Sequence, residues 1–234
     1  MTRKRLVAFT GAGVSAESGI STFRDQGGLW EKFPIEEVAT PDAWRRDPRK
    51  VLNFYDMRRE QILKAQPNEA HLAIARLEEH FEVDVVTQNI DDLHERAGST
   101  RVLHLHGEIL KARSTIDPEL IVPINGPTLS YGSKCPKGSQ LRPHIVWFGE
   151  EVPQLPEAAA IIMKADILMI IGTSLNVYPA AGLVHYAPSE CRTFLIDPNE
   201  VASPAREVLH VKRTASEGVP ALAAELVADL ISSK

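Results

Sequence analysis

The feature that most constrains the fold of this chain is a short apolar segment that runs directly into a glycine-rich turn. Residues 5–10 (RLVAFT) have the composition of a buried β-strand, and Gly11, Ala12 and Gly13 follow at once, before a helix start. This arrangement can hold a diphosphate, because glycines allow close backbone approach and helix N-termini favour negative charge. The spacing is neither a strict dinucleotide fingerprint nor a P-loop, so a tight turn without a ligand fits these glycines equally well.

Similar apolar runs recur along the chain and alternate with helical patterns. Strands are predicted at residues 83–87, 102–106, 145–148, 167–172 and 193–197, and helices at 69–80, 156–165 and 219–232. This alternation predicts an α/β fold of the Rossmann type, in which a mostly parallel sheet carries helices on both faces.

Two stretches interrupt the alternation. Residues 25–66 look helical without strands, whereas residues 108–143 look like a loop that is longer than compact domains usually contain. We therefore predict a smaller inserted domain made of residues 27–60 and 108–147. The Rossmann-type domain then comprises residues 1–26, 61–107 and 148–234.

Composition narrows the class of protein further. The 234 residues carry a formal net charge of −5, which argues against a nucleic-acid partner, since such proteins present a basic face. Cys135 and Cys191 lie too far apart in sequence to indicate a disulfide framework. No apolar run has the length of a membrane span or the form of a secretory signal. We expect a cytoplasmic protein that binds neither nucleic acid nor membrane.

Polar residues follow three of the predicted strands, at residues 87–92 (TQNIDD), 104–108 (HLHGE) and 172–176 (GTSLN). Ligands of open α/β sheets bind beyond the carboxyl ends of the strands, so these groups should surround one crevice. His106 closes its strand beside a glycine, and an imidazole there is suited to removing a proton from a hydroxyl. The pattern alone does not separate His106 from His104, and it fits a structural, hydrogen-bonded histidine at either position.

Five motifs occur in a fixed order: residues 11–24 (GAGVSAESGISTFR), 87–91 (TQNID), 106–108 (HGE), 148–150 (FGE) and 172–179 (GTSLNVYP). Together they resemble the sirtuin family over nearly the whole chain. The sequence looks most similar to the short bacterial sirtuins of the desuccinylase class, class III. Five linked motifs are far more specific than one glycine loop.

The resemblance implies that NAD and an acylated-lysine peptide meet in the cleft between the two domains. It assigns NAD binding to Gly11, Ala12, Gly13, Ser15, Glu17, Phe23, Arg24, Trp30, Gln88, Asn89, Ile90, Asp91, Gly172, Thr173, Ser174, Asn199 and Ala215. It assigns the peptide backbone, clamped by strand addition, to Val146, Phe148, Gly149, Glu150, Leu175 and Val177.

The implied reaction is covalent, with His106 and Asn89 as its catalytic residues. The acyl carbonyl oxygen attacks the nicotinamide ribose and nicotinamide leaves. His106 then takes a proton from a ribose hydroxyl, whose oxygen attacks the acyl carbon. Addition of one water then releases the amine, so that free lysine, nicotinamide and acyl-ADP-ribose are the products.

Tyr55 and Arg58 suggest which acyl group is removed. They are three residues apart on a predicted helix and so share one face, where a phenol and a guanidinium make a good carboxylate receptor. A solvated helix face is the alternative for an arbitrary pair of this kind. The pair lies where desuccinylase-type sirtuins carry theirs, and Ala39 and Ala43 would leave the pocket room. We therefore expect a preference for succinyl- or malonyl-lysine, with weaker deacetylation.

Sirtuins commonly hold a structural zinc with two cysteine pairs, and here the chain departs from the family. Ser114 and Asp117 stand at the expected first pair, and Cys135 is the only cysteine of the segment. Because a closed zinc site needs four ligands, we predict no zinc and assign no metal ligands, and the sequence leaves open whether an unusual metal binds this segment. Apolar contacts should hold the segment instead, from Ile116, Leu120, Ile121, Val122, Ile124, Leu129 and Leu141.

Two other functions remain open on the same scaffold. One is a mono-ADP-ribosyltransferase or NAD hydrolase, for which Tyr55 and Arg58 would be incidental. The other is a non-catalytic module that binds NAD or ADP-ribose, although such a module needs neither His106 nor Asn89. By analogy with short bacterial sirtuins we expect a monomer.

Overall fold

Six parallel strands form the central sheet. The computed structural model describes residues 3–22, 29–201 and 208–232. The strands of the large sheet are β1 (Arg5–Thr10), β2 (Glu82–Thr87), β3 (Val102–His104), β7 (Ile167–Ile171), β8 (Arg192–Ile196) and β9 (Leu209–Val211). They lie in the order β3-β2-β1-β7-β8-β9, and each neighbouring pair is parallel. The predicted parallel sheet is confirmed, while the short β9 is an addition to it.

Both faces of this sheet are covered, which explains why its strands read as continuous apolar runs. Leu6 and Ala8 of β1 pack into a core with α6 (Glu69–Arg76) and α9 (Ala215–Ser232). Val7 and Phe9 point to the opposite face, where α8 (Leu155–Ile162) and a 3₁₀ helix at Ala180–Tyr186 close a second core. Helices on both faces are therefore confirmed.

A run of helices follows β1. These are α1 (Gly13–Ala16), α2 (Leu29–Lys32), α3 (Ile35–Val38), α4 (Pro41–Arg46) and α5 (Pro48–Lys64). A 3₁₀ turn at Leu77–Glu79 continues α6, and α7 (Leu93–Ala97) lies between β2 and β3. The long α5 starts where the Asp47 carboxylate accepts the Lys50 N–H at 3.0 Å, with Pro48 in its first turn. The helical, strand-free character predicted for this stretch is confirmed for its described residues.

A second, smaller sheet occupies the stretch that looked like a loop, which confirms the predicted smaller domain and corrects the loop-like appearance of residues 108–143. Strands β4 (Gly107–Ser114), β5 (Ile121–Pro123) and β6 (Leu141–Ile145) form an antiparallel sheet in the order β5-β4-β6. Charged residues along β4 and prolines in both edge strands hid the pattern, since proline is tolerated on edge strands. The β4 strand is central, and alternate residues of it are buried.

The small sheet has its own apolar cluster, as predicted, but with a different membership. Leu129 and Leu141 are buried in it, and Leu120, Val122 and Ile124 pack against it. Ile116 and Ile121 were expected to contribute and do not, because both are exposed. Leu52 of α5 completes the cluster, so the helix and the small sheet share one core.

The chain passes from the large sheet to the small one at His106. Strand β3 ends at His104 instead of His106, and β4 begins at Gly107. Gly107 has a φ of +82°, and a Cβ on it would lie 2.0 Å from the His144 carbonyl oxygen. The second boundary correction is that β6 ends at Ile145, so residues 146–148 follow the strand. None of the described helices has the length and apolar character needed to cross a membrane.

Candidate active site

The carboxyl edge of the large sheet collects the predicted polar residues in a defined order. From β3 to β8 this edge carries His106, then Gln88–Asp91, then Gly11–Gly13, then Gly172–Ser174, and finally Asp197 and Asn199. The strand order reverses direction between β1 and β7, and this switch point is where open sheets bind dinucleotides. A cavity of about 410 Å³ opens along the whole edge, a volume within the range of small-molecule sites.

The glycines bring two loops of this edge together. Gly172, with a φ of +58°, would place a Cβ 2.4 Å from the Val14 nitrogen, and a Cβ on Gly13 would lie 2.7 Å from the Gly172 Cα. Gly13 N–H donates to the Gly172 carbonyl at 2.8 Å, and Val14 and Ser15 N–H donate to carbonyls of Gly11 and Ala12. Early N–H groups of α1 thus stabilise the turn, whereas the sequence suggested that they would point at a ligand.

His106 and His104 have different environments, which separates the two candidates. The His104 ring lies between the Asn89 carbonyl at 3.0 Å and the Glu95 carboxylate at 2.7 Å, so both of its nitrogens are engaged. His106 lines the cavity, and its Nδ1 lies 3.0 Å from the Gln88 carbonyl. Because a carbonyl only accepts, Nδ1 carries the proton and Nε2 has a free lone pair.

Burial lowers the pKa of His106, and the hydrogen bond to Gln88 opposes this only in part. The ring is therefore neutral at pH 7. A neutral imidazole with an unprotonated Nε2 facing a cavity is competent as a general base. His104 differs: burial tends to lower its pKa, but the hydrogen bond and the charge of Glu95, the bond to the Asn89 carbonyl and the charge of Glu108 together raise it.

Asn89 and Asp91 are held by one hydroxyl. The Ser15 hydroxyl donates to an Asp91 carboxylate oxygen at 3.1 Å and accepts from the Asn89 side-chain amide at 3.2 Å. His71 lies 3.4 Å from the same hydroxyl. Burial raises the pKa of Asp91, although hydrogen bonds from Leu93 and Ser15 oppose that rise. Ser15 is thus a polar anchor beneath the cavity floor.

Glu17 lines the cavity, but its carboxylate serves the fold. It accepts the Ser216 N–H at 2.9 Å, one residue into α9. Burial tends to raise the pKa of Glu17, but the bonds from Ser216 and Thr214 outweigh it and lower the pKa. An ionised carboxylate at this end of α9 is favoured by the helix dipole.

Tyr55 and Arg58 lie on the buried face of α5 and line the same cavity as His106. Trp147 Nε1 donates to the Tyr55 hydroxyl at 3.0 Å, and burial raises the pKa of this phenol well above its usual range. Arg58 Nη1 donates to Gln61 at 2.8 Å and to the Ser21 carbonyl at 3.2 Å. Burial lowers the pKa of Arg58 to about 10, so the guanidinium stays charged at pH 7.

Residues 146–150 form the cavity wall beside the small sheet. Phe148 N–H donates to the Ala39 carbonyl at 3.0 Å, and Val146 N–H donates to the His106 carbonyl at 2.9 Å. The Glu150 carboxylate accepts from Arg142, Arg113 and the Trp147 N–H. Glu150 was expected to clamp a peptide, but its carboxylate is engaged inside the protein.

Most of the predicted site residues therefore converge on one cavity. Two do not line it: Ala43 is buried in the apolar core under α5, and Leu175 packs against the core below α8. Phe23, Arg24 and the side chain of Trp30 lie outside the described residues. Lining residues that sequence reasoning missed include Ile20, Thr22, Trp147, Tyr178, Asp197 and Thr214. Asp197 could have been predicted as a site residue, since it ends a predicted strand. No motif or local sequence pattern marks Trp147 as a site residue.

The place of the family's zinc cysteines holds a hydrogen-bonded cluster. Ser114 and Ser139 hydroxyls lie 2.8 Å apart, and the Cys135 thiol donates to Ser114 at 3.4 Å. Lys137 forms an ion pair with Asp117 at 2.6 Å. In the described part of the chain no three His, Cys, Asp or Glu side chains are grouped as a metal site would need. These side chains do not fit the four-ligand tetrahedral zinc site.

Comparison with known proteins agrees with this geometry. The model of the Sir2 family matches residues 11–179. An NAD-dependent protein deacylase of Bacteroides thetaiotaomicron is 54% identical over 225 residues, which is 94% of this chain and 96% of the relative. A deacylase of Helicobacter pylori is 54% identical over 195 residues, 83% of each chain. A Sir2 homolog solved as an NAD complex has a TM-score of 0.86 and 40% identity, covering 97% of this chain and 91% of the other.

The fold and the site thus define a Rossmann-like protein with a small antiparallel domain. The chain belongs to the Sir2 family.

Proposed function

We propose that this protein is an NAD-dependent protein-lysine deacylase that prefers succinyl- and malonyl-lysine and deacetylates more weakly. The deacylase activity is supported by the names of its relatives and by His106 at the cavity. The acyl preference rests on one observation, which is that a charged, buried Arg58 and a protonated Tyr55 line the same cavity as His106.

The residues of the sheet edge fit NAD. His106 on one side and Asp197 on the other are separated by four strand spacings, roughly 19 Å, and the switch point lies between them. The adenosine half would be held by Gly172, Thr173, Ser174, Asn199 and Ala215, beside Asp197, and the diphosphate by the loop of Gly11, Ala12, Ser15 and Glu17. Gln88, Asn89 and Asp91 would hold the nicotinamide ribose. NAD supplies the ribose carbon that receives the acyl oxygen and releases nicotinamide.

His106 acts as the general base in this proposal. Its Nε2 accepts a proton from a ribose hydroxyl, while the Gln88 carbonyl holds Nδ1–H and fixes the ring. Asn89, positioned by Ser15, orients the sugar beside it. A near-neutral base pKa suits this step at pH 7.

Arg58 and Tyr55 select the acyl group. The guanidinium offers a planar fork to a carboxylate, and the phenol adds a donor. The carboxylate of a succinyl or malonyl group would form an ion pair with the buried guanidinium of Arg58, whereas an acetyl group has no charge to pair with it.

Purified protein with NAD and with succinyl-, malonyl- or acetyl-lysine peptides, read by mass, tests the function. Loss of the acyl group only with NAD, fastest for the acidic acyl groups, is the expected result. A mass gain of ADP-ribose on protein indicates the transferase instead, and no change under any condition indicates a binding module. A His106→Ala variant that still deacylates would refute the role of the base.

We further propose that the protein contains no zinc and needs none. The cluster around Ser114 and Cys135 and the Asp117–Lys137 ion pair take the place of the metal. Metal analysis of protein purified without chelator should find no stoichiometric zinc, and a chelator should leave the deacylase rate and the melting temperature unchanged. A cytoplasmic monomer that binds neither nucleic acid nor membrane remains our prediction, and light scattering tests the monomer.

A further inference from the structure

We infer that Trp147 is a positioning residue for acyl specificity, because its indole N–H forces the Tyr55 hydroxyl to direct its own proton into the cavity. This inference rests on the proposed function, in which Tyr55 and Arg58 bind the carboxylate of the acyl group. Trp147 lies in none of the motifs from which the site was predicted.

The direction of one hydrogen bond carries the inference. Trp147 Nε1 lies 3.0 Å from the Tyr55 hydroxyl oxygen, and both side chains are buried. An indole N–H can only donate, so the phenol oxygen must accept this bond. Tyr55 has one proton of its own, and the described residues include no acceptor bonded to it. That proton is therefore available to a ligand in the cavity that Tyr55 lines with Arg58.

The indole is itself held firmly. The Arg142 guanidinium stacks over the Trp147 ring at 3.2 Å from its centroid, and Trp44 packs against the ring at 5.7 Å. The Glu150 carboxylate accepts from the Arg142 guanidinium at 2.7 Å and from the backbone N–H of Trp147 at 2.8 Å. One carboxylate thus fixes the backbone of Trp147 and the cation that covers its ring. A buried, stacked side chain with a tied backbone is a rigid donor.

A fixed donor on the phenol matters for a carboxylate and not for an acetyl group. Without the indole N–H, nothing fixes the torsion of the phenol O–H, so orientations that present a lone pair to the cavity become accessible. A lone pair facing a carboxylate is repulsive, whereas an O–H facing it forms a strong, charge-assisted hydrogen bond. Trp147 should therefore favour acidic acyl groups through Tyr55 while leaving the acetyl reaction little changed.

The experiment compares kcat/KM for succinyl- and acetyl-lysine peptides in four proteins: wild type, Trp147→Phe, Tyr55→Phe and the double variant. We expect Trp147→Phe to lower the succinyl-to-acetyl ratio by roughly tenfold, the effect of one charge-assisted hydrogen bond. In the Tyr55→Phe background the same change should leave the ratio within about twofold, because the hydroxyl on which Trp147 acts is gone.

Two further variants test whether altered packing around Trp147, instead of the loss of its N–H donor, changes the succinyl-to-acetyl ratio. Trp44→Phe alters the ring that packs on Trp147 but keeps the indole donor, so its ratio should match wild type. Benzothienylalanine incorporated site-specifically at position 147 replaces the N–H by sulfur at nearly constant shape, and it should reproduce the loss of ratio even where Trp147→Phe folds poorly.

The outcomes separate the inference from the proposed function. If Tyr55→Phe and Arg58→Met lower the succinyl ratio but both changes at position 147 leave it intact, the inference is wrong and the proposed function stands. An equal loss from Trp147→Phe with and without the Tyr55 hydroxyl also overturns it. If no variant of Tyr55 or Arg58 changes the ratio, the proposed acyl preference fails and the inference fails with it.

Discussion

Replacement of Arg58 by methionine is the most direct test of the acyl pocket, and the size of the expected effect can be worked out from the structure. Burial lowers the pKa of Arg58 from 12.5 to about 10, a difference worth about 3 kcal/mol at 1.36 kcal/mol per pKa unit. This is the free energy by which the pocket disfavours the charged guanidinium. An acyl carboxylate that pairs with it can recover up to that amount, which corresponds to about a hundredfold in kcat/KM.

We therefore expect Arg58→Met to lower kcat/KM for succinyl-lysine peptides by up to about a hundredfold and to change deacetylation by less than about threefold. Arg58→Lys is the matched control, because it keeps the charge but loses the planar fork, and it should fall between the two. Steady-state rates on both peptides, with thermal melting to confirm folding, provide the measurement. Equal losses on succinyl and acetyl peptides would refute the reasoning, since they would mean that Arg58 does not bind the acyl carboxylate.

Three further predictions follow from the same structure. Burial lowers the pKa of His106 below 6.5, the ordinary value for histidine, so the imidazole is still neutral at pH 6.5. The plot of kcat/KM against pH should therefore fall on the acid side only below pH 6.5. A fall that begins above pH 6.5 would contradict this assignment. Arg59→Met should lower the free energy of unfolding by about 3 kcal/mol, measured in urea, because fully buried Arg59 bonds Asp56 and two backbone carbonyls; a loss under about 1 kcal/mol would contradict it. Gly172→Ala should be far more destabilising than the control Gly19→Ala, since both have positive φ but only Gly172 lacks space for a Cβ; equal melting temperatures would show that the loop contact is unimportant.

The large sheet could be predicted from sequence because its signals are local. Strands β1 and β7 and most of β2 are buried on both faces and are followed by glycine or polar residues, so each could be recognised from its own sequence. The small sheet could not, because β5 and β6 are short edge strands that contain proline. Their pairing with β4 depends on contacts that no local pattern records.

The same distinction applies to the candidate site, where some residues are marked by local sequence and others depend on contacts distant in sequence. Residues that follow strands, such as Asn89 and His106, were predictable because parallel strands end at one edge of the sheet. The local pattern could not separate His106 from His104, and only the family resemblance favoured His106; the physical difference is that Glu95 binds the His104 ring. Trp147 was beyond sequence reasoning, because its partner Tyr55 is 92 positions away and on a different element.

The chain crosses between the two sheets at two places, and backbone hydrogen bonds join these crossings. The chain leaves the large sheet at His106 and returns after Ile145, and Gly107 pairs with Ile145 in the antiparallel ladder. Val146 N–H donates to the His106 carbonyl at 2.9 Å, so the proposed base and the wall of the proposed acyl pocket are joined by a backbone bond. The Ser114–Cys135 cluster lies at the far end of β4, seven residues from Gly107. Among the described residues, the backbone bonds of the crossing at His106 involve none of these side chains, so we expect the proposed absence of zinc to leave the crossing intact.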